Sequence, residues 1–222
     1  MSLQKADLHR TNIPKNAVLL TESEAVEYQW NKINNWPAQL EVWAFKYGMG
    51  SLGTIAGFTA LYIGRHHRRK LKLFGYGYIS TFLSTVASTS LVTLYFHSKF
   101  ITSNLLVHKT PCSVCLQTRA MLLQTCTGVI YPLIVSPIIC SLVAIKVGIR
   151  IPYYTEWQEL YKMWSVINKP LIRPLLILFS FQTILAAGVT YYEAQQLYNI
   201  QEKYLSYEKN HSKKLDGMYN CN

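Results

Sequence analysis

Charged residues are absent from four long stretches of this chain, residues 47–64, 73–96, 120–145 and 174–192. A bilayer core is about 30 Å thick, so a spanning helix needs about 20 mainly apolar residues. Helices of a soluble bundle would carry charged side chains on one face, whereas the polar residues here are mainly Ser, Thr, Gln and Tyr. The lack of charge therefore argues against a soluble bundle and predicts an all-α membrane protein.

The predicted fold has four transmembrane helices flanked by polar segments. The spans lie near 43–64, 73–96, 120–145 and 174–192 and define a transmembrane domain over 43–192. The polar N-terminal segment, 1–42, contains a polar helix whose start is marked by a capping box at Thr21 and Glu24. The polar tail, 193–222, continues the apolar stripe of the last span, which predicts a helical C-terminal extension.

A further helix is predicted between the third and fourth spans. Apolar and aromatic residues recur there at helical spacing after Pro152: Tyr153, Trp157, Leu160, Tyr161, Trp164 and Ile167. This pattern is typical of an interfacial amphipathic helix that lies on the membrane surface before the fourth span.

Positive charge is concentrated in two of the predicted loops. The loop 65–72 carries five fixed cations and no acid: Arg65, Arg68, Arg69, Lys70 and Lys72. The loop 146–173 adds five more, whereas the loop 97–119 has three. The positive-inside rule places the two basic loops in the cytosol or the mitochondrial matrix, and the termini on the opposite side. The 65–72 cluster also suits acidic partners or an anionic lipid such as cardiolipin, or it acts only as a topology signal.

Small and hydroxyl side chains inside the spans predict close helix packing. Gly53 and Gly57 form a small-xxx-small face on the first span. The second span carries two polar ladders, Ser80/Ser84/Ser88 and Thr81/Thr85/Thr89. Transporters that couple to ions usually keep an Asp, Glu, His or Lys at membrane depth, and these stretches have none. Packing against a neighbouring helix or a partner subunit is therefore favoured over a channel or carrier.

The most specific local pattern is a Cys-x-x-Cys pair, Cys112 and Cys115, at the start of the third span. A zinc site would need further ligands such as His97 and His108, in a spacing that matches no common zinc module. A redox pair at a helix N-terminus would have activated thiols, and Arg119 would assist. A structural disulfide on the oxidising side of the membrane is the favoured interpretation.

A redox relay would need a second cysteine pair, and the remaining cysteines do not provide one. Cys126 and Cys140 are fourteen residues apart in one predicted helix, about 21 Å at 1.5 Å per residue. That separation is too long for a disulfide. Cys221 is a single thiol near the C-terminus.

Two blocks of residues resemble the signature of the transmembrane protein 126 family. The first is Cys112-x-x-Cys115-x-x-x-Arg119 followed by Gly128 and Tyr131-Pro132; the second is Lys169-Pro170-x-x-Arg173 leading into Gln182. The resemblance implies a multi-pass protein of the mitochondrial inner membrane, with the basic loops in the matrix. The termini and the Cys112/Cys115 loop would face the intermembrane space.

The resemblance also implies a function. Family members are non-enzymatic scaffolds that assist assembly of the membrane arm of respiratory complex I. The implied partners are complex I membrane-arm subunits and other assembly factors, with no nucleic acid, metal or cofactor. One branch of the family serves the early proximal arm and the other the distal arm, and the two blocks leave the branch open. The alternative hypothesis is a membrane thiol-disulfide oxidoreductase that uses Cys112 and Cys115.

Overall fold

The computed structural model describes residues 20–107, 109, 112–149 and 156–219, and no β-strand occurs among them. Its α-helices are α1 (Glu22–Asn34), α2 (Met49–Lys70), α3 (Tyr78–His97), α4 (Ser103–Leu106), α5 (Ser113–Thr125), α6 (Tyr131–Lys146), α7 (Trp157–Asn168) and α8 (Ile172–Tyr219). Two short 3₁₀ turns cover Gln39–Val42 and Lys169–Leu171. Wider π turns cover Ala44–Gly48, Ser98–Thr102 and Cys126–Ile130. The prediction of an all-α protein is confirmed.

Helix α1 begins at the predicted capping box. The Thr21 backbone N–H donates to Glu24 Oε2 at 2.8 Å, and the Glu24 backbone N–H donates to Thr21 Oγ1 at 3.5 Å. Two N–H groups that the first helical turn leaves without partners are thereby satisfied. The hydrogen bonds from the Thr21 backbone and side chain lower the pKa of Glu24.

Three helical segments are long and apolar enough to cross a membrane: Tyr78–Leu106, Ser113–Lys146 and Gln158–Tyr207. The predicted span near 43–64 is not among them. Its helix, α2, is rich in Gly and Thr and ends in a basic turn, so its mean hydropathy is low. Ten of its 22 residues are buried, because α2 packs against α3, α6 and α8. A helix enclosed by its neighbours needs less apolar surface than one that faces lipid.

Two predicted loops are largely helical. Residues 65–70 are the last turns of α2, and only 71–77 form a connection. The predicted loop 97–119 continues α3 through the π turn Ser98–Thr102 and α4, and α5 already begins at Ser113. The two predicted loops were too long because their ends followed the positions of charge, and a helix does not end where charge begins.

A small core lies at one end of the bundle, and we call it the cap. Helix α1, the 3₁₀ turn Gln39–Val42, α4 and the extension of α8 meet there. The buried side chains of the cap are Ile33, Trp36, Val42, Phe45, Leu106, Leu197 and Ile200. Glu41 accepts hydrogen bonds from Trp36 Nε1 at 3.0 Å and from Lys203 Nζ at 2.5 Å. The two polar terminal segments of the prediction therefore pack on each other.

The opposite end, which we call the basic end, joins the tips of α2, α6 and α7. Leu73 packs against Cys140 and Ala144 of α6. His66 Nε2 lies 3.0 Å from the Ile167 carbonyl, and His67 Nε2 lies 3.0 Å from Asn168 Oδ1. The chain passes between the cap and the basic end four times, through 44–70, 78–106, 113–146 and 172–200.

Candidate functional site

Helices α2 and α3 approach closely where α2 has glycine. Ser90 Oγ donates to the Gly53 carbonyl at 2.9 Å. A Cβ built on Gly57 would lie 2.7 Å from Ser90 Oγ, and one on Gly53 would lie 3.0 Å from Leu94 Cγ. The missing side chains thus allow backbone-to-hydroxyl contact between the two helices.

The two hydroxyl ladders of α3 have different positions. Thr81, Thr85 and Thr89 are buried, and each hydroxyl donates to the carbonyl four residues earlier at 2.5 to 2.8 Å. Ser80 and Ser84 are exposed and Ser88 is half-buried. Packing within the chain therefore uses the threonine ladder, whereas Ser80 and Ser84 lie on the outer surface of the bundle. The reason is the helical period, since adjacent ladders point about 100° apart.

A buried polar junction lies in the middle of the bundle. Gln182 Nε2 of α8 donates to Thr59 Oγ1 at 2.6 Å and to the Gly128 carbonyl at 3.3 Å. Gln124 Nε2 of α5 donates to Gln182 Oε1 at 3.0 Å and to the Leu52 carbonyl at 3.3 Å. Both glutamine side chains are almost completely buried. These bonds link α2, α5, the π turn Cys126–Ile130 and α8. We call this hydrogen-bonded cluster the glutamine junction.

Pro132 explains why the Gly128 carbonyl needs a partner. A helical residue at position 132 would donate its N–H to the carbonyl four residues earlier, which belongs to Gly128. Proline has no N–H, so that carbonyl loses its usual donor. Gln182 supplies one from the neighbouring helix. Gly128 is itself required, because a Cβ there would overlap the Gln182 amide.

Arg68 is a structural residue and not a free ligand of the basic end. It is 4 % exposed and donates to the carbonyls of Phe74 at 2.9 Å, Tyr76 at 2.8 Å and Gly77 at 3.3 Å. This connection is strained, with φ of +51° at Lys72 and +41° at Phe74. Charge-assisted bonds to three carbonyls hold it in place. The prediction that Arg68 serves a partner or lipid is therefore wrong.

The other predicted cations of the basic end are exposed. Arg65, Arg69, Lys70 and Lys72 reach solvent, and none has an acidic partner within 4 Å among the described residues. Lys169 and Arg173 are exposed at the same end, where α7 meets α8. Within the same predicted cluster, only Arg68 is enclosed by protein.

Cys112 and Cys115 are adjacent and exposed. Cys112 is the N-cap of α5, and its Sγ accepts the Cys115 backbone N–H at 3.4 Å. Hydrogen bonds from the Cys115 side chain and backbone lower the pKa of Cys112. Both are free thiols in this structure, so the disulfide stays a prediction. Cys126 is exposed, Cys140 is buried, and Cys221 lies outside the described residues.

The zinc interpretation finds no ligand set. Among the described residues, no three His, Cys, Asp or Glu side chains come together in a way that could hold a metal ion. His97 lies beside Glu193 in the bundle, and His108 lies outside the described part of the chain.

The pair of His97 and Glu193 was missed by the sequence analysis. The side chains are 3 % and 0 % exposed, and His97 Nε2 lies 3.6 Å from Glu193 Oε2. His97 comes directly after the uncharged stretch 73–96 and was therefore assigned to a loop. Glu193 comes directly after the stretch 174–192 and was assigned to the polar tail. The α8 stripe of Gln182, Ala186, Val189, Glu193 and Gln196 at helical spacing is the signal that would have found Glu193.

Comparison with known proteins agrees with the motif blocks. The sequence model of the family described as Transmembrane protein 126 matches residues 23–211. A Drosophila melanogaster protein named Transmembrane protein 126 is 35% identical over 191 residues, which covers 85% of this chain and 86% of that protein. The chain belongs to the transmembrane protein 126 family. No solved structure matches it.

The two motif blocks of this transmembrane protein 126 family member meet at the glutamine junction. Gly128 and Pro132 come from the first block and Gln182 from the second, on helices that are not adjacent in sequence. Tyr131 is half-buried beside them. The remaining motif residues do not join this junction and are exposed: Cys112, Cys115, Arg119, Lys169, Pro170 and Arg173.

Proposed function

We propose that this protein is a non-enzymatic scaffold of the mitochondrial inner membrane that assists assembly of the membrane arm of respiratory complex I. Membership of the transmembrane protein 126 family carries this proposal. The polar contacts of the bundle are consistent with it, because the glutamine junction and the Gly53/Gly57 contact are used to hold helices together. The outer faces and the two ends remain for partners.

Two surfaces suit a scaffold. The outer face of α3 presents Ser80 and Ser84 between exposed apolar residues, and a hydroxyl that faces lipid gains from a polar neighbour helix. The basic end presents exposed, unpaired cations to acidic partners or to anionic lipid such as cardiolipin. Membrane-arm subunits of complex I and other assembly factors are the proposed partners.

The proposed topology has four crossings. The support is the four passes between the cap and the basic end, with α2 as the first crossing despite its modest hydropathy. By the positive-inside rule the basic end lies in the matrix, and the cap and the Cys112/Cys115 pair lie in the intermembrane space. In mitoplasts, a membrane-impermeant maleimide should label a cysteine placed at Glu202 in the cap and not one placed at Lys72. Labelling of both sites, or of Lys72 alone, would contradict this topology.

The function is tested by mass spectrometry of proteins that co-purify with the tagged protein from mildly solubilised mitochondria. We expect enrichment of complex I membrane-arm subunits and assembly factors, and the subunits recovered would identify the family branch. Ser80→Leu/Ser84→Leu should lower this recovery if the outer face of α3 is a docking surface. Thr54→Leu, on an exposed position of α2, is the matched control. Absence of every complex I protein from the purified material would contradict the proposal.

The second candidate function is thiol-disulfide exchange at Cys112 and Cys115. The adjacency of the two exposed thiols and the lowered pKa of Cys112 favour it. Cys112→Ser/Cys115→Ser should then abolish function while leaving the amount of protein unchanged. If the protein is a scaffold with a structural disulfide, the same double variant should lower the amount of protein. If it is a scaffold without a disulfide, the variant should change neither function nor protein amount.

A further inference from the structure

His97 and Glu193 bring two ionisable side chains into the protein interior just below the cap. His97 ends α3, and Glu193 lies on α8 one turn before Leu197 of the cap core. Neither His97 Nε2 nor either carboxylate oxygen of Glu193 has a hydrogen-bond partner. The Thr190 hydroxyl, one turn earlier on α8, is also buried without one. The 3.6 Å between His97 Nε2 and Glu193 Oε2 allows charge pairing and is longer than a normal hydrogen bond.

Burial fixes the number of protons that this pair can hold. A net charge in the interior is costly, whereas a neutral pair is tolerated. The pair is neutral when it holds one proton, either as imidazolium and carboxylate or as imidazole and carboxylic acid. Loss of that proton leaves a buried carboxylate, and uptake of a second leaves a buried imidazolium.

No neighbouring group compensates such a charge. Among the described residues, no second cation approaches Glu193 and no second acid approaches His97 within 4 Å. On the π turn Ala44–Gly48, Lys46 is turned towards Gln39 and the Asn34 carbonyl. The other titratable groups on the elements packed around the pair are exposed: Tyr47, Tyr95, Lys99, Cys115, Arg119, Tyr191 and Tyr192.

The pair lies between two wide helical turns that join the bundle to the cap. The π turn Ser98–Thr102 begins directly after His97. On the other side, a Cβ on Gly48 would lie 2.7 Å from Val189 Cγ1 and 3.8 Å from Glu193 Oε1, so glycine is needed for this approach. One turn beyond, Gln196 Oε1 accepts the Ala44 backbone N–H at 3.1 Å. A net charge on the pair would therefore destabilise the contact between α8 and the start of the first pass.

We propose that His97 and Glu193 form a proton-binding site that fastens the cap to the bundle. With one proton bound the cap is closed, and loss of that proton or uptake of a second loosens it. This proposal is independent of the role in complex I assembly, since it concerns only how the chain holds its own end.

The test is hydrogen exchange, followed by mass spectrometry, on the full-length protein in lipid nanodiscs between about pH 5 and pH 9. Rates are corrected for the intrinsic pH dependence of exchange. Cap peptides covering 33–45 and 197–204 are compared with the threonine ladder, 81–93, as an internal reference. We expect cap protection to be greatest at intermediate pH and to fall at least about tenfold on both the acid and the alkaline side, while the reference stays protected.

The two single variants should each abolish the loss of cap protection on one side of the pH profile. In Glu193→Gln no carboxylate remains, so the loss of protection at alkaline pH disappears and the loss at acid pH persists. In His97→Gln no imidazolium can form, so the loss of cap protection at acid pH disappears and the loss at alkaline pH persists. Glu202→Gln, an exposed acid on the same helix, should keep the wild-type profile.

Infrared difference spectroscopy of the unmodified protein provides a measurement that does not depend on the variants folding. The carbonyl stretch of a buried carboxylic acid should change together with cap protection on one side of the profile. That side is the acid one if the neutral pair is imidazolium and carboxylate, and the alkaline one if it is imidazole and carboxylic acid. A pH-independent cap, a loss of protection that is equal in the reference, or an unchanged carboxyl band would each overturn the proposal. So would single variants that retain both sides of the profile.

Discussion

The glutamine junction and the His97–Glu193 pair are two buried polar clusters of one bundle, and they differ in how their polar atoms are satisfied. The junction is neutral, and Gln182 uses both its amide hydrogens and its oxygen in bonds to three elements. The His97–Glu193 pair is ionisable, and its buried oxygens have no hydrogen-bond donor. A satisfied neutral cluster stabilises a single packing, whereas an unsatisfied ionisable one depends on its protons. We therefore expect the contacts of the glutamine junction to be independent of pH and those of the His97–Glu193 pair to change with it.

The largest effect is expected from breaking the junction at Gln182. Gln182→Leu should lower the free energy of unfolding by about 2 kcal/mol, because Gln124, Thr59 and the Gly128 carbonyl each lose a buried partner. Unfolding in mixed detergent micelles, followed by far-ultraviolet circular dichroism, measures it. Gln195→Leu, at an exposed position of the same helix, is the control and should change stability by less than about 0.5 kcal/mol. Equal effects of the two variants would contradict the role of the junction.

A methyl group at Gly128 should disturb the same bonds indirectly. Gly128→Ala should cost about 1 kcal/mol, because displacement of the Gln182 amide outweighs the gain in helix propensity. In a Gln182→Ala background the overlapping amide is gone, so Gly128→Ala should become neutral or stabilising. A double-mutant cycle in the same unfolding assay measures this coupling. Additive effects would show that Gly128 serves a different contact.

Two threonines, one in each cluster, allow the same comparison with smaller expected changes in stability. Thr59→Val removes the hydroxyl that accepts from Gln182 at 2.6 Å and should cost about 1 kcal/mol. Thr190→Val removes a buried hydroxyl that makes no bond, so stability should be unchanged or slightly raised. Both replacements keep the shape of the side chain. A greater cost at Thr190 than at Thr59 would contradict the assignment of bonds at the two clusters.

The smallest expected effect concerns reactivity and not stability. Hydrogen bonds from Cys115 lower the pKa of Cys112, so the reactive thiolate of Cys112 should form at a lower pH than that of an ordinary cysteine. Iodoacetamide labelling of Cys112, measured by peptide mass spectrometry across a pH series, should show a midpoint below the ordinary value. In Cys115→Ala the midpoint should move upward. An unchanged midpoint would remove the support for activated thiols.

Much of the fold follows from local sequence signals. The capping box at Thr21 and Glu24, the amphipathic pattern before the fourth span and the helical extension at 193–219 are all present in the structure. These features depend on neighbours within one or two turns, so the sequence specifies them directly. The helices continue beyond the uncharged stretches, because the absence of charge indicates depth in the membrane and does not mark the end of a helix.

Contacts between distant residues required the tertiary structure. The sequence by itself determined that the chain is helical and membrane-embedded, which helix faces carry small residues, and which motif blocks it shares with the transmembrane protein 126 family. Only the structure decided that Arg68 is enclosed while Arg69 is exposed, that Gln182 replaces the donor missing at Pro132, and that His97 meets Glu193. Periodicity assigns each side chain to a face of its own helix, whereas packing decides which helix covers that face.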